Sequence, residues 1–168
     1  MPLFRRPRLF KPLGLDDDGR VVFAVRLAPE ARSWLIGLAD QLEQLLETDA
    51  DDTRRLFPTA YPDDPELDAG YQILARQQLI DQRRAAIESM RRTVDSEVMD
   101  DEALGAWMGI VNDLRLVLGT RLDMGEDDHD LDRDDPEIET KLLYHELGGL
   151  LAEIVDALSS ALPDPDDE

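Results

Sequence analysis

The chain has 168 residues, enough for one domain with a substantial core, and 42% of them are hydrophobic. Its formal net charge of −21 argues against nucleic acid or an anionic membrane surface as the main partner and favours a basic protein. Because the chain has no cysteine, disulfides, thiol catalysis, thiol redox sensing and cysteine-bound zinc are excluded. It has neither an apolar run long enough for a membrane span nor a signal-peptide pattern, so we expect a cytoplasmic protein.

Residues 1–27 are predicted to form a β-hairpin. The segment VVFAVRL (21–27) alternates apolar and other residues with a period of two, and it follows Asp18-Gly19, a dipeptide favoured in tight turns. Prolines in the preceding segment cannot donate to a sheet, which keeps the first strand short and at an edge. Since a lone hairpin is marginally stable, we expect it to pack on the helices.

Apolar residues at helical spacing predict four helices, over about 29–47, 65–94, 100–123 and 138–162. The second helix has a predicted apolar track of Leu67, Tyr71, Leu74, Ala75, Leu79, Ala86, Met90 and Val94. The third helix is apolar almost all round, which predicts a position at the centre of a bundle. The fold class is therefore mainly α, a four-helix bundle-like domain with an N-terminal β-hairpin packed on it. The predicted boundaries are a single domain over 1–162, with the hairpin at 1–27 and the helices at 29–162, and a disordered acidic tail at 163–168.

Arg115 lies in the middle of the main apolar stripe of the third helix, within WMGIVNDLRLVLGTRLDM. A guanidinium in a core needs a carboxylate or several carbonyls, and the proline-stiffened loop LFPTAYPDDPE (56–66) supplies them. We therefore predict that Arg115 binds Asp63, Asp64 or neighbouring carbonyls; the alternative is that it extends between helices with its head in water. The loop is expected to pack onto the domain through its large side chains, Leu56, Phe57 and Tyr61.

The acidic segment DHDLDRDDPEIE (128–139) resembles a calcium-binding EF-hand loop in its spacing. The acids at the matching positions are Asp128, Asp130, Asp132 and Glu139. The position that requires glycine is Arg133, and the flanking helix spacing is missing. We interpret the segment as a solvated acidic loop, with calcium binding as the alternative.

Acidic pairs at helical spacing occur twice, at Asp40 and Glu43 and at Glu153 and Asp156. All-α nucleotide pyrophosphatases bind magnesium through such pairs, so a metal-dependent nucleotide hydrolase that uses helix carboxylates is the alternative function. We interpret the pairs as solvated helix faces. The only histidines, His129 and His145, have no second imidazole or thiol near them in sequence. We therefore predict no catalytic residue, no metal and no cofactor.

The basic residues are unevenly distributed, because residues 1–15 contain no acid and the second helix is rich in arginine. We predict partner contacts at Arg5, Arg6, Arg8, Arg83 and Arg84. The alternative interpretation is that these residues balance the surrounding acid. No helix-turn-helix pattern is present, so direct DNA binding by this chain is not expected. A helix face that is apolar but not needed by the core would favour a homodimer.

The blocks LFPTAYPDDPE and WMGIVNDLRLVLGTRLDM resemble the hallmark segments of an actinobacterial family first described as a domain of unknown function, whose members are called AosR-type oxidative-stress transcriptional regulators. The hallmark residues by this resemblance are Pro58, Tyr61, Asp63, Asp64, Trp107, Asn112, Asp113, Arg115, Gly119 and Arg121. The resemblance implies a cytoplasmic, non-enzymatic regulator that contacts the transcription machinery, for example a sigma factor. Redox sensing in the family is attributed to a cysteine pair, which this chain lacks, so that property is not carried over.

Overall fold

The computed structural model describes residues 8–48, 50–124 and 134–161. The predictions for Arg5 and Arg6, for the first positions of the EF-hand-like segment, for His129 and for the acidic tail lie outside the described residues. The elements are β1 (Phe10–Leu15), β2 (Val21–Val25), α1 (Pro29–Leu46), a short 3-10 helix (Asp51–Leu56), α2 (Pro65–Thr93), β3 (Val98–Asp100), α3 (Asp101–Arg121) and α4 (Ile138–Ser160).

The predicted mainly helical fold with an N-terminal hairpin packed against the helices is confirmed. Each of the four predicted helices is present, with ends within two residues of those predicted. Among the described residues, no helix combines the length and hydrophobicity needed to cross a membrane.

The hairpin forms as its sequence pattern predicts. The Asp16 carboxylate accepts the N–H groups of Asp18 and Arg20, at 3.0 and 2.8 Å, and Gly19 adopts a φ of 77° that favours glycine. The inward residues Phe10 and Phe23 are fully buried. They attach the hairpin to the helical body, because the Phe10 ring meets the ring of Trp107 edge-on at 6.3 Å.

The sheet has a third strand that the sequence analysis missed. β3 pairs antiparallel with β2, so the strand order is β1-β2-β3 and β1 lies at an edge, where Pro12 is tolerated. β3 leads directly into α3, whose N-terminus is capped by Asp100: its carboxylate accepts the N–H of Ala103 at 2.8 Å.

α3 is the central helix, as predicted. It packs against α2, α4 and the 3-10 helix, and its buried residues cover most of the circumference of the helix. Its largest fully buried side chains are Trp107, Leu104 and Ile110. The indole N–H of Trp107 donates to the Thr93 hydroxyl at 2.9 Å, which joins the core of α3 to the end of α2.

α2 differs from its prediction in which residues it buries. It has 29 residues and is about 43 Å long, whereas α1 has 18 and is about 27 Å long, so α2 extends beyond its neighbour. Its later half is buried through Ile87 and Met90. The prediction that Leu67, Tyr71 and Leu74 belong to the core is wrong: they are 51%, 43% and 79% exposed.

The loop after α1 packs on the domain at its start, as expected, but its centre is exposed. Leu56 and Phe57 are 2% and 8% exposed, at the end of a 3-10 helix that the sequence analysis did not predict. Tyr61 is 42% exposed, and its ring meets that of Tyr71 edge-on, with centroids 5.9 Å apart. The loop is therefore attached to the domain through its first residues.

Candidate functional site

Arg115 does not bind the loop over residues 56–66, so the prediction that it binds Asp63, Asp64 or neighbouring carbonyls is wrong. Its guanidinium crosses to α4, where Nη2 donates to the Tyr144 hydroxyl at 3.2 Å and Cζ lies 4.7 Å from the centre of the Tyr144 ring. It also lies over Gly148, where an added Cβ would be 3.4 Å from Arg115 Nε. Nε is buried and has no hydrogen-bond acceptor among the described residues. Because the half-buried guanidinium stacks on an aromatic ring, the alternative of a head in open water is not observed either.

The residues predicted as its partners have other environments. Asp64 is the N-cap of α2 and accepts the N–H of Leu67 at 3.0 Å, while Asp63 is exposed. Both lie immediately before α2, at the end of the helix that extends beyond α1. This explains why an arginine on the α4 side of α3 does not meet them.

Arg83 and Asp113 form the buried ion pair that attaches the loop. Arg83 Nε lies 2.9 Å from one carboxylate oxygen and Nη2 lies 3.4 Å from the other, and the two side chains are 16% and 11% exposed. Arg83 Nη2 also donates to the Leu56 carbonyl at 3.2 Å, and Nη1 donates to the Leu79 carbonyl at 3.4 Å. One guanidinium thus joins α2, α3 and the end of the 3-10 helix. The prediction of Arg83 as a partner contact is corrected, because its side chain lies inside the domain.

The electrostatics of this pair reflect its burial. Removal from water raises the pKa of Asp113, and the nearby Arg83 guanidinium offsets only part of that effect. A signal for the pair was present in the sequence: Asp113 is a carboxylate on a helix that is apolar almost all round. A charge at such a position requires a buried cation, and an arginine-rich neighbouring helix is a natural source.

The other hallmark residues divide between core, cap and surface. Trp107 is fully buried, and the Arg121 guanidinium binds Asp52 at 2.8 and 3.0 Å. Gly119 allows close packing, since a Cβ there would lie 3.2 Å from Arg55 Nη1 and 3.4 Å from a Tyr144 ring carbon. The two remaining hallmark residues, Pro58 and Asn112, are exposed. Most of the set therefore positions helices, and the described members do not gather in one cleft.

The carboxylate pairs that suggested metal binding are engaged within the chain. Arg91 donates to both Asp40 and Glu43, at 2.5 and 2.6 Å, and also contacts Glu88. This arginine sits where a cation would have to bind.

The pair on α4 holds the hairpin. Glu153 accepts the N–H of Leu9 at 3.3 Å, and Asp156 lies 3.4 Å from Arg8. Among the described residues, no group of three or more potential metal ligands is found.

In the described end of the acidic segment, the Asp135 side chain accepts two hydrogen bonds. This carboxylate accepts from Lys141 Nζ at 2.6 Å and from the N–H of Glu137 at 2.8 Å. Both hydrogen bonds favour the charged form, so the pKa of Asp135 is lowered, with the Lys141 contact as the larger cause.

His145, the histidine within the described residues, meets the Tyr144 ring edge-on, with ring centroids 5.8 Å apart.

A groove of about 700 Å³ lies between the end of α1, the 3-10 helix and α2. Its polar groups serve local structure. Asp68 accepts the N–H groups of Ala60 and Tyr61 at 2.8 and 3.1 Å, and Arg76 stacks on the Phe57 ring at 4.0 Å. The described residues that line the groove therefore do not present a converging acid, base and nucleophile.

A protein-family model described as "Domain of unknown function (DUF2017)" matches residues 8–158, from the start of the described hairpin to near the end of α4. The chain belongs to the DUF2017 family. No curated protein and no solved structure matches it.

Two of the predicted partner contacts in this DUF2017 domain lie at the surface. Arg8 is half-exposed beside Asp156, and the Arg84 side chain is 39% exposed with Nη2 3.2 Å from Glu47. Both have a carboxylate neighbour, which fits the interpretation that they balance surrounding acid, and both remain accessible.

The DUF2017 domain also exposes an uncharged helix face. We define the α2 outer face as Leu67, Gly70, Tyr71, Leu74 and Gln78, which share one side of the overhanging half of α2 and are all exposed. None of the five is charged, although 34% of the chain is. This face points away from the buried residues Ile87 and Met90 of the same helix.

Proposed function

We propose that this DUF2017 domain is a non-catalytic regulatory protein that acts by binding a basic protein partner. Following its resemblance to AosR-type regulators, we further propose that the partner is a component of the transcription machinery such as a sigma factor, and that the protein works in the cytoplasm.

The observation that supports a non-catalytic role is that Arg91 forms ion pairs with the helix carboxylates. The helix carboxylates Asp40 and Glu43, which a metal-dependent hydrolase would need to keep open for an ion, both accept from its guanidinium. These contacts raise the pKa of Arg91 well above its usual range. These charged side chains therefore join α1 to α2 and are not available to hold a metal ion. We accordingly assign the function to the surface of the domain, as a binding surface.

The choice of a basic partner follows from charge. At a net charge of −21, the protein attracts positively charged surfaces over about the Debye length, roughly 10 Å at 0.1 M salt, and repels nucleic acid. A sigma factor presents basic surfaces that bind DNA, and an acidic protein can occupy such a surface.

The test is capture followed by titration with a defined protein. The tagged full chain is immobilised, exposed to a lysate of its native host at low salt, and eluted by a salt gradient. An unrelated acidic protein of similar size and charge serves as the control for simple ion exchange. We expect a sigma factor or RNA polymerase subunit to be retained by the chain and not by the control. Direct binding of the same purified component should then saturate in a calorimetric titration. If no transcription component is enriched over the control, the proposal is rejected.

A further inference from the structure

We propose that the α2 outer face joins two copies of this chain in an antiparallel dimer, with Leu67 of one copy against Leu74 of the other. This inference is independent of the proposed function, because it concerns self-association and needs no other protein.

The first argument is the exposure of large apolar side chains on one helix. Leu67 and Leu74 are 51% and 79% exposed, and Tyr71 between them is 43% exposed. The outward side of a surface helix is normally polar, particularly in a chain with this much charge. A contiguous apolar patch of this kind marks a protein contact.

The second argument comes from Gly70 in the same face. Glycine within a helix is unfavourable, and no described atom lies within 4 Å of a Cβ built at this position. The described residues of one copy therefore offer no packing reason for the glycine. In an antiparallel pair centred between residues 70 and 71, each Tyr71 ring lies over Gly70 of the other helix, which lets the two helices approach closely.

The third argument is charge, which selects the antiparallel orientation. Asp63, Asp64 and Glu66 lie at the N-terminal end of the face. A parallel pair would place these acids beside the same acids of the second copy. The antiparallel pair instead places them opposite the end that carries Gln78, whose amide can donate to a carboxylate, and a single exposed acid, Asp81.

The available area fits a second copy and predicts a weak dimer. Tyr61 extends the patch through its edge-on contact with Tyr71. From the exposed fractions of these tyrosines and the two leucines, two copies together can bury at most roughly 1,000 Å², at the lower limit for a specific interface. Since both copies are strongly acidic, we expect a micromolar dissociation constant that falls as salt screens their repulsion.

The absence of cysteine from the chain allows a direct test by disulfide trapping. Leu67→Cys and Leu74→Cys are prepared as separate variants with tags of different size, and each is oxidised alone and in a mixture. We expect the disulfide between the two variants in the mixture and little product from either alone. The reason is that the same residue in the two copies lies about 10 Å apart along the helix axis, beyond the reach of a disulfide. Leu15→Cys, at a 70% exposed position on the hairpin, is the control and should not cross-link.

Sedimentation of the unmodified chain completes the test. We expect the unmodified chain to show a monomer–dimer equilibrium in the micromolar range. Leu74→Glu should abolish the dimer, and the matched control Leu15→Glu should still form it. Circular dichroism melts of the two variants, recorded below the dissociation constant where both are monomeric, should be alike, since both positions are exposed. The proposal is overturned if the chain stays monomeric throughout that range. It is also overturned if the single-site variants cross-link as well as the mixture, or if Leu74→Glu leaves the dimer intact.

Discussion

Removing the Asp113 carboxylate is expected to destabilise the domain strongly. Its partner Arg83 is 16% exposed, so Asp113→Ala leaves a buried guanidinium without its counter-ion. Breaking such a pair costs about 3–5 kcal/mol. Arg83 retains the carbonyls of Leu56 and Leu79 as acceptors, which places the expected loss in the free energy of unfolding near the lower limit, about 3 kcal/mol. In a domain of this size that corresponds to a midpoint about 6–12 °C lower.

Urea unfolding followed by circular dichroism measures this loss. Asp63→Ala is the matched control, since it removes an exposed carboxylate from the loop and should change the free energy of unfolding by less than about 0.5 kcal/mol. If Asp113→Ala were no more destabilising than Asp63→Ala, the conclusion that the Arg83–Asp113 pair attaches the loop would be refuted.

The double variant Arg83→Met/Asp113→Leu separates the cost of an unpaired charge from the net contribution of the pair. The raised pKa of Asp113 shows that the loss of hydration outweighs the attraction of Arg83. Replacing both partners by apolar side chains should therefore restore much of the stability lost in Asp113→Ala. A double variant that is as unstable as Asp113→Ala would contradict that interpretation.

Three further predictions follow from the described contacts. Tyr144→Phe removes the hydroxyl that accepts from Arg115 but keeps the ring, so a loss of about 1 kcal/mol is expected in urea unfolding; no loss would mean that the hydrogen bond contributes nothing. The N–H of Ala103 is the main cause of the lowered pKa of Asp100, so the stabilisation from Asp100 is present above pH 3.8 and is lost as the pH falls through its lower folded-state pKa. The stability difference between the native chain and Asp100→Asn should accordingly be unchanged near pH 6 and shrink as the pH falls below 3.8 in parallel melts, and a difference that stays constant below pH 3.8 would contradict the assignment. Calorimetric titrations with magnesium, manganese and calcium should show no saturable heat, whereas saturable binding would revive the hydrolase alternative.

The helices and the hairpin could be predicted because their signals are long and local. The alternation before and after Phe23 and the apolar spacing of α3 specify their own burial, whatever they pack against. β3 has only three residues, too few to show a period, and its pairing with β2 depends on a distant part of the chain.

The predictions that were wrong concern which helix surfaces contact each other in the folded domain. The spacing of Leu67, Tyr71 and Leu74 is that of a core-facing stripe, and only the relative lengths of α2 and α1 show that no described element covers it. Arg115 was assigned to the wrong neighbour for a related reason. Its direction depends on the rotation of α3 against α4, which periodicity does not define.

The positions of the arginines explain how so acidic a chain retains a defined shape. Arg83 joins α2 to α3 through Asp113, and Arg91 joins α2 to α1 through Asp40 and Glu43. Buried and half-buried pairs of this kind contribute little net stability, but each fixes the relative position of two helices because a misplaced partner is costly. α2 supplies both cations, so its later half is held on two sides while its first half projects with an apolar surface. A helix anchored so firmly at one end presents that surface in a fixed geometry, which is what a protein contact requires.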